Sequence, residues 1–359
     1  MQVNIIDKYI IQRFLAAFFF MLGAVLVIVL VVDLVEKMDM ILEKKPPMKD
    51  LIFDYYVNLL MFFGSLLSPI CVFLAVIFFT SQMAQRTELV AILSTGTSFY
   101  RILVPYLLVG IFLSGISFYL KGFQVPNATD TRMGFEYKYF KPRNLSKDRD
   151  IHKRVAKDSY VYMSYFAKKE LEGYGFTMER IQEGKVIGKV KAERAAWIDS
   201  TKTWRLKDGY IRWFVGEREK IQRFAKKDTT FLLAPDDIII RELKAESLNN
   251  FALSDYIKQE ELRGSDILKD LYMERHRRFS DPIALIILTM IGYAMSSRKS
   301  RGGIALQIGL GVVLSVTYIA LLLLASLFVS DTFPTWAAVW FPNVIFFPIA
   351  VALLINAPK

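Results

Sequence analysis

Two stretches of the chain hold residue types able to act on another molecule. The first is SQMAQRTELVAILSTG, running from Ser81 to Gly96. Polar Gln85, Arg86, Thr87 and Glu88 precede the apolar Leu89, Val90, Ile92 and Leu93, and Gly96 closes the stretch. That order predicts a short helix with Thr87 or Ser81 as N-cap and Gly96 just past the C-terminus. Its apolar residues are expected to face a bilayer or a helix bundle. Its polar end either fits a groove in a partner or makes a well-capped turn, since Glu88 at a helix N-terminus is favourable on dipole grounds alone. The second stretch is the basic cluster Arg275-His276-Arg277-Arg278, shortly before Pro282. It serves as a snorkelling anchor at a membrane–water boundary or as a set of phosphate contacts on a lipid. Arg132 and Lys37 join Arg275, Arg277 and Arg278 as candidates for holding an anionic head group.

Other chemistries find no residues. One cysteine, Cys71, among 359 residues excludes an intrachain disulfide framework and a thiolate metal cluster. Two histidines, His152 and His276, leave little for a zinc site. There is no G-x-x-x-x-G-K-[ST] phosphate loop, no G-x-S-x-G elbow and no H-E-x-x-H pair. The chain reads as a non-enzyme that binds no cofactor of its own.

These stretches must be held by something, and composition says what. Hydrophobic residues make up 53% of the chain and charged residues 23%, so the two kinds must be segregated. That balance excludes a disordered chain. The net charge is +11, and residues 122–280 carry 33 Lys and Arg against 25 Asp and Glu. Such an excess favours anionic partners. A membrane-spanning helix needs about 20 mostly apolar residues. Six stretches qualify: Phe14–Val32, Val57–Thr80, Ile102–Leu120, Pro282–Ser297, Ile304–Val329 and Phe333–Asn356. The first is too long for a signal-peptide core, and no small-residue cleavage site follows it. None of the six contains Asp, Glu, Lys, Arg or His. This excludes the ion relay of a coupled transporter. One span would anchor a domain; six point to a cavity or a path. Ile6, Tyr9, Ile10 and Arg13 fall at helical spacing, predicting an amphipathic helix in the inner boundary before the first span.

Lys and Arg in the short loops set the orientation. With a cytoplasmic N-terminus the inner flanks hold Lys8, Arg13, Arg86, Arg101, Arg298, Lys299, Arg301 and Lys359, against Lys37, Lys44, Lys45 and Lys49 outside. The large polar segment is then extracytoplasmic, which excludes nucleic acid as a partner. Within it, short runs such as Ser159–Phe166, Gly175–Ile181, Lys185–Lys191, Ala195–Ile198, Thr203–Leu206, Tyr210–Val215, Lys220–Phe224 and Thr229–Leu233 read as strands. Glu183-Gly184, Asp199-Ser200, Asp208-Gly209 and Gly216-Glu217 read as turns. Many short strands at this spacing predict a sandwich or jelly roll. Flanking helices are expected over Asn127–Tyr139 and Asp255–Arg263, the latter capped by Ser254 and broken by Gly264, with Ser265 capping a further helix through Leu268 and Leu271.

The residues also resemble a known family. Asp7-Lys8-Tyr9-Ile10 is similar to the D-[RK]-Y-[IL] start of the LptF/LptG (YjgP/YjgQ) permeases of the lipopolysaccharide export ABC transporter. Ala84-Gln85-Arg86-Thr87-Glu88-Leu89-Val90 through Gly96 resembles that family's cytoplasmic coupling helix. Pro126, Trp204-Arg205-Leu206, Leu233-Ala234-Pro235-Asp236, Leu253-Ser254, Gly264, Pro282, Arg301-Gly302-Gly303, Gly309, Tyr318, Pro334 and Pro342 follow in the family's order, so the likeness runs essentially full length. The wording of the coupling helix is closer to the LptG-like branch. One departure is Asp33, where LptG-like proteins can carry a Lys. A phosphate contact there is expected to move to Lys37, or the lipid head group to differ.

The resemblance implies a polytopic α-helical membrane protein of six spans with an inserted extracytoplasmic β-jellyroll. The expected organisation is an N-terminal membrane half over 1–125 with the coupling helix at about 82–96, a periplasmic domain over 126–275, and a C-terminal membrane half over 276–359. It implies a multi-pass protein of the inner membrane of a Gram-negative bacterium, with both termini cytoplasmic. Implied partners are a homologous six-span LptF-like permease, a dimeric cytoplasmic LptB-like ATPase holding ATP and Mg, a single-span LptC-like subunit and a periplasmic bridge protein. Gln85, Arg86, Thr87, Glu88, Leu89 and Gly96 would couple to the ATPase, and lipopolysaccharide would be the cargo. Two rivals stay open: a permease for another amphiphile such as a lipoprotein or glycolipid, and a membrane-anchored scaffold.

Overall fold

A computed structural model describes residues 5–140, 149–156, 158–167, 170–182, 185–215, 218–231, 233–235, 238, 244–264, 267–297, 303–327 and 333–357. The chain divides into two units. One comprises Met1–Phe140, Glu246–Asn250 and Tyr272–Lys359; the other comprises Lys141–Ala245 and Phe251–Leu271.

The first unit is helical. In chain order its helices are α1 (Ile5–Lys44), α2 (Val57–Gln85), α3 (Glu88–Ser94), α4 (Phe99–Tyr119) and α5 (Val125–Phe135). Later in the chain come α6 (Asn250–Arg263), which belongs almost wholly to the second unit, and then α7 (Leu268–Ser296), α8 (Gly303–Leu327) and α9 (Thr335–Ile355). Six helical stretches among the described residues are long and apolar enough to cross a membrane: Ile5–Lys44, Met48–Gln85, Phe99–Phe140, Leu268–Ser296, Ile304–Leu324 and Thr335–Ile355. The first four are longer than the apolar runs predict. The 40 residues of α1 form one helix, so Ile5–Arg13 is its first part and not a separate interfacial helix. At 1.5 Å per residue α1 is about 60 Å long, roughly twice the hydrocarbon thickness. Residues 126–140, expected with the β domain, stay with the helical unit: π-helical turns over Leu120–Gln124 and Glu136–Phe140 carry the third span onward, and Phe135 and Phe140 pack on Tyr55. Pro282, expected at a helix start, lies inside the single helix α7.

Side chains of α2, α4 and α7 form the centre of this unit. Phe14, Phe79, Tyr106, Phe99 and Tyr293 are all buried there, and the Tyr106 and Tyr293 rings lie 4.9 Å apart. A Cβ at Gly292 would stand 3.1 Å from both Phe73 and Val76, so this glycine sets how closely α7 approaches α2. A buried polar knot joins α7, α8 and α9. Asn343 donates to the Ser280 carbonyl (3.0 Å) and hydroxyl (2.8 Å), and accepts from the Tyr318 hydroxyl (3.1 Å). In a low-dielectric interior such groups must be paired.

The second unit is an antiparallel sheet of six strands in sequential order: β1 (Arg149–Ala156), β2 (Ser159–Ala167), β3 (Glu172–Gln182), β4 (Lys185–Ile198), β5 (Thr203–Val215) and β6 (Arg218–Thr229). The polytopic helical protein with an inserted β domain is therefore what the chain folds into. The described strands follow one another as a meander, each hydrogen-bonded to its neighbours in sequence. Several expected strands merge. Lys185–Lys191 and Ala195–Ile198 are one strand, as are Thr203–Leu206 and Tyr210–Val215. Asp208-Gly209 is accordingly not a turn. It is a kink inside β5, with Asp208 at φ 52° and Gly209 pressed where a Cβ would meet the Lys191 carbonyl and stand 2.7 Å from the Phe224 ring. The expected run Lys220–Phe224 lies within β6, which continues to Thr229, and the strand expected over Thr229–Leu233 does not form among the described residues. β1 escapes prediction because only Ile151 and Val155 of its charged sequence turn inward. Ser254 lies within α6, which begins at Asn250. Glu183-Gly184, Gly216-Glu217, Asp236, Ser265, Arg298, Lys299, Arg301, Gly302 and Lys359 lie outside the described residues.

One face of the sheet is buried around Phe166, Phe176, Trp204 and Leu206. Trp204 is fully buried and stacks on Phe231 (5.7 Å between centroids, 7° between planes). Its indole Nε1 donates to the Leu233 carbonyl at 2.7 Å. Two motifs separated by 29 residues thus meet in one hydrogen bond. Trp204→Ala is expected to destabilise this unit by about 3–5 kcal/mol, through the cavity and the lost bond. Limited proteolysis of the full chain should then cut within β2–β6 at protease levels that leave the parent intact.

Candidate functional site

The Gln85–Gly96 stretch sits where α2 ends. Gln85 is the last residue of α2, Arg86 caps it, and α3 follows after Thr87. Gly96 adopts φ 85° and its N–H donates to the Leu93 carbonyl at 3.0 Å, the C-terminal stop expected of it. Thr87 does stand at the N-cap, but with φ 60° and ψ 10°, and its hydroxyl donates to the Arg86 carbonyl (2.6 Å) instead of accepting from the helix. A β-branched residue in the left-handed region is a strained one. Ser81, the alternative cap, is buried inside α2.

The face that α3 presents differs in part from expectation. Leu89 is buried (1% exposed), anchoring the helix to the bundle, and Ile92 and Leu93 are half-buried. Val90 is 58% exposed. With Arg86, Thr87, Ala91, Ser94 and Thr95 it makes an outward surface of mixed character. Glu88 lies at its margin. The Tyr9 hydroxyl donates to Glu88 Oε2 (3.0 Å), and Arg86 Nη1 stands 4.0 Å from Glu88 Oε1. Two turns of chain away, Arg101 forks onto Asp7 with Nη1–Oδ1 2.8 Å and Nη2–Oδ2 2.6 Å. Bidentate charge-assisted pairs of this kind fix geometry as well as charge. The start of α1 is therefore tied to both flanks of α3, a linkage the sequence motif Asp7-Lys8-Tyr9 does not announce.

The five head-group candidates gather at the other end of the helical unit, where the chain leaves for the β domain and returns. They are not equivalent. Lys37 pairs with Asp33 (3.1 Å), bonds the Tyr55 hydroxyl and lies 3.9 Å from Glu136. The Tyr55 hydroxyl donates to both Asp33 oxygens at 2.9 Å. Arg132 Nη1 reaches Glu136 Oε1 at 2.9 Å and covers the Phe62 ring at 5.2 Å. Arg278 is 1% exposed, with Nε 3.0 Å from Glu274 Oε1 and Nη1 2.9 Å from Asn250 Oδ1. Beside this collar, burial and Glu274 hold the Glu246 carboxyl above its ordinary pKa, opposed by Arg277, Arg132 and Arg278. Lys37, Arg132 and Arg278 are thus each matched by a carboxylate. Arg275 is not: its guanidinium lies over the Tyr272 ring at 4.8 Å, and among the described residues it has no acidic partner.

This arrangement of six long apolar helices, a capped turn tied to the N-terminal helix and a sheet inserted after the third span can be compared with known proteins. Residues 8–356 match the family described as lipopolysaccharide export system permease LptF/LptG. The chain belongs to the LptF/LptG family. No curated protein matches it. LptF/LptG membership makes the chain a membrane subunit of a transporter, in keeping with the six helices able to span a bilayer and the inserted β domain. It also implies an export complex with a partner permease and an ATPase.

Proposed function

We propose that this chain is the LptG-like permease of a machine that extracts lipopolysaccharide from the outer leaflet of the inner membrane and passes it to a periplasmic bridge. The observation that carries this reading is the uncovered apolar surface of two spans. Only 6% of the most apolar window of α1 and 22% of that of α8 are buried, against 67% for α7. Phe20 and Val313 are 70% and 61% exposed on these faces. A helix whose apolar sides are left open needs a second surface or acyl chains against it, and each buried CH₂ is worth about 0.8 kcal/mol. A homologous six-span LptF-like subunit and the lipid between the two supply both.

In this reading Gln85, Arg86, Thr87, Glu88, Leu89 and Gly96 form the coupling helix for a dimeric LptB-like ATPase, which holds ATP and Mg. Both termini lie in the cytoplasm and the β domain in the periplasm, where an LptC-like subunit and the bridge protein meet it. The outer collar receives the lipid head group. The test is purification of the chain from native membranes with its partners, followed by mass spectrometry of proteins and lipid. A second six-span permease, an ATPase and lipopolysaccharide are the expected companions. A lipoprotein or another glycolipid in place of lipopolysaccharide would reassign the cargo, and absence of any ATPase would make the chain a scaffold.

A further inference from the structure

A pocket of about 530 Å³ opens on the helical unit between α4, α7 and α9. Ser114, Gly115 and Phe118 of α4 form one wall, Phe279, Pro282 and Ile283 of α7 another, and Trp340 of α9 closes it. Its size falls in the roughly 300–1,000 Å³ range of small-ligand sites. The walls are apolar, and the Phe118 and Phe279 rings lie 5.3 Å apart at its edge. Arg275 and His276 stand at one end. On α7 the spacing from Arg275 to Phe279 to Pro282 keeps charge and apolar wall on one face. Among the described residues Arg275, whose guanidinium lies over the Tyr272 ring, has no carboxylate to match it. An uncompensated guanidinium above an apolar slot, at the end of membrane-spanning helices, has the chemistry of an amphiphile site: phosphate on the cation, acyl chain below.

We infer that this pocket holds an anionic glycerophospholipid of the surrounding bilayer. The choice of occupant follows from position and charge. The pocket is built from the third, fourth and sixth spans, whereas the uncovered faces assigned above to partner and cargo are on α1 and α8. Of the collar arginines it is Arg275 that lines the pocket, and its single charge balances one phosphodiester. The inference rests on the helical unit being embedded in a bilayer, and not on the identity of the cargo.

The test uses Trp340 as reporter. The full chain, purified with its partners, is reconstituted into phosphatidylcholine vesicles containing increasing dibrominated phosphatidylglycerol or dibrominated phosphatidylcholine. The Trp340 signal is taken as the part of the fluorescence lost in Trp340→Phe. Quenching is expected at about tenfold lower mole fraction of the anionic lipid, the size of one charge-assisted contact. Arg275→Ala should abolish that preference, and Arg275→Lys should keep part of it. Gly115→Leu should remove the quenching altogether: a Cβ there meets nothing within 4 Å, so the new side chain fills the pocket without disturbing the helices. Equal quenching by both lipids, a preference that survives Arg275→Ala, or quenching unaffected by Gly115→Leu would overturn the assignment. Displacement of the brominated lipid by added lipopolysaccharide would overturn the occupant, giving the pocket to the cargo.

Discussion

Glu88→Arg is expected to lower ATP hydrolysis by the assembled complex at least about tenfold and to stop lipid extraction, while the chain still inserts and folds. Glu88 sits at the N-terminus of α3 and half-exposed beside Arg86. A docked partner would desolvate it, and a charge-assisted bond lost and replaced by repulsion is worth well over about 1.4 kcal/mol per tenfold. The substitution also removes the acceptor of the Tyr9 hydroxyl. Tyr9→Phe separates the two effects. It breaks the same bond and leaves the carboxylate in place. Near-normal hydrolysis in Tyr9→Phe with loss in Glu88→Arg assigns the effect to docking; equal loss in both assigns it to the position of α1. Unchanged hydrolysis and extraction in Glu88→Arg would remove this stretch from the coupling path.

Arg278→Ala is expected to be the most damaging change among the head-group candidates, and for a reason unrelated to lipid. The side chain is 1% exposed and held by Glu274 and Asn250. Removing one partner of a buried pair leaves the other charge uncompensated, at a cost of about 3–5 kcal/mol. Thermal unfolding in detergent should fall sharply, and Arg278→Lys should recover little, because a single ammonium cannot span Glu274 and Asn250 in the same fork. Arg275→Ala should leave the unfolding temperature nearly unchanged. Within the run of four basic residues Arg275 to Arg278, the last is thus built into the protein, while the first is only half-buried and has no carboxylate partner among the described residues. If both variants unfold at the parent temperature, that division fails.

How much of this was readable beforehand depends on the range of the interaction. The six spans are local in sequence, so their existence is plain, as are Gly96 as a helix stop and Asp199-Ser200 as a turn before β5. The lengths of the helices are not plain. Ile5–Arg13 carries charges, and a run of charges looks like a boundary although a helix passes through it without a break. Asp33 and Lys37 are four residues apart on one helix, yet Tyr55 and Glu136, which complete their cluster, come from elsewhere in the chain. Five candidate cations look alike in a sequence; only their partners separate Lys37, Arg132 and Arg278 from Arg275. In the β unit, Asp208-Gly209 imitates a turn because its glycine answers a close backbone approach instead.

The unbroken course of α1 has a mechanical corollary. Its foot is clamped through Asp7 and Tyr9 to the α3 corner, and its far end carries Asp33 and Lys37. A stiff rod of about 60 Å turns a tilt of about 5° at one tip into a travel of about 5 Å at the other. Such a lever would need no relay of side chains: the backbone hydrogen bonds of a single helix would carry a displacement along its whole length.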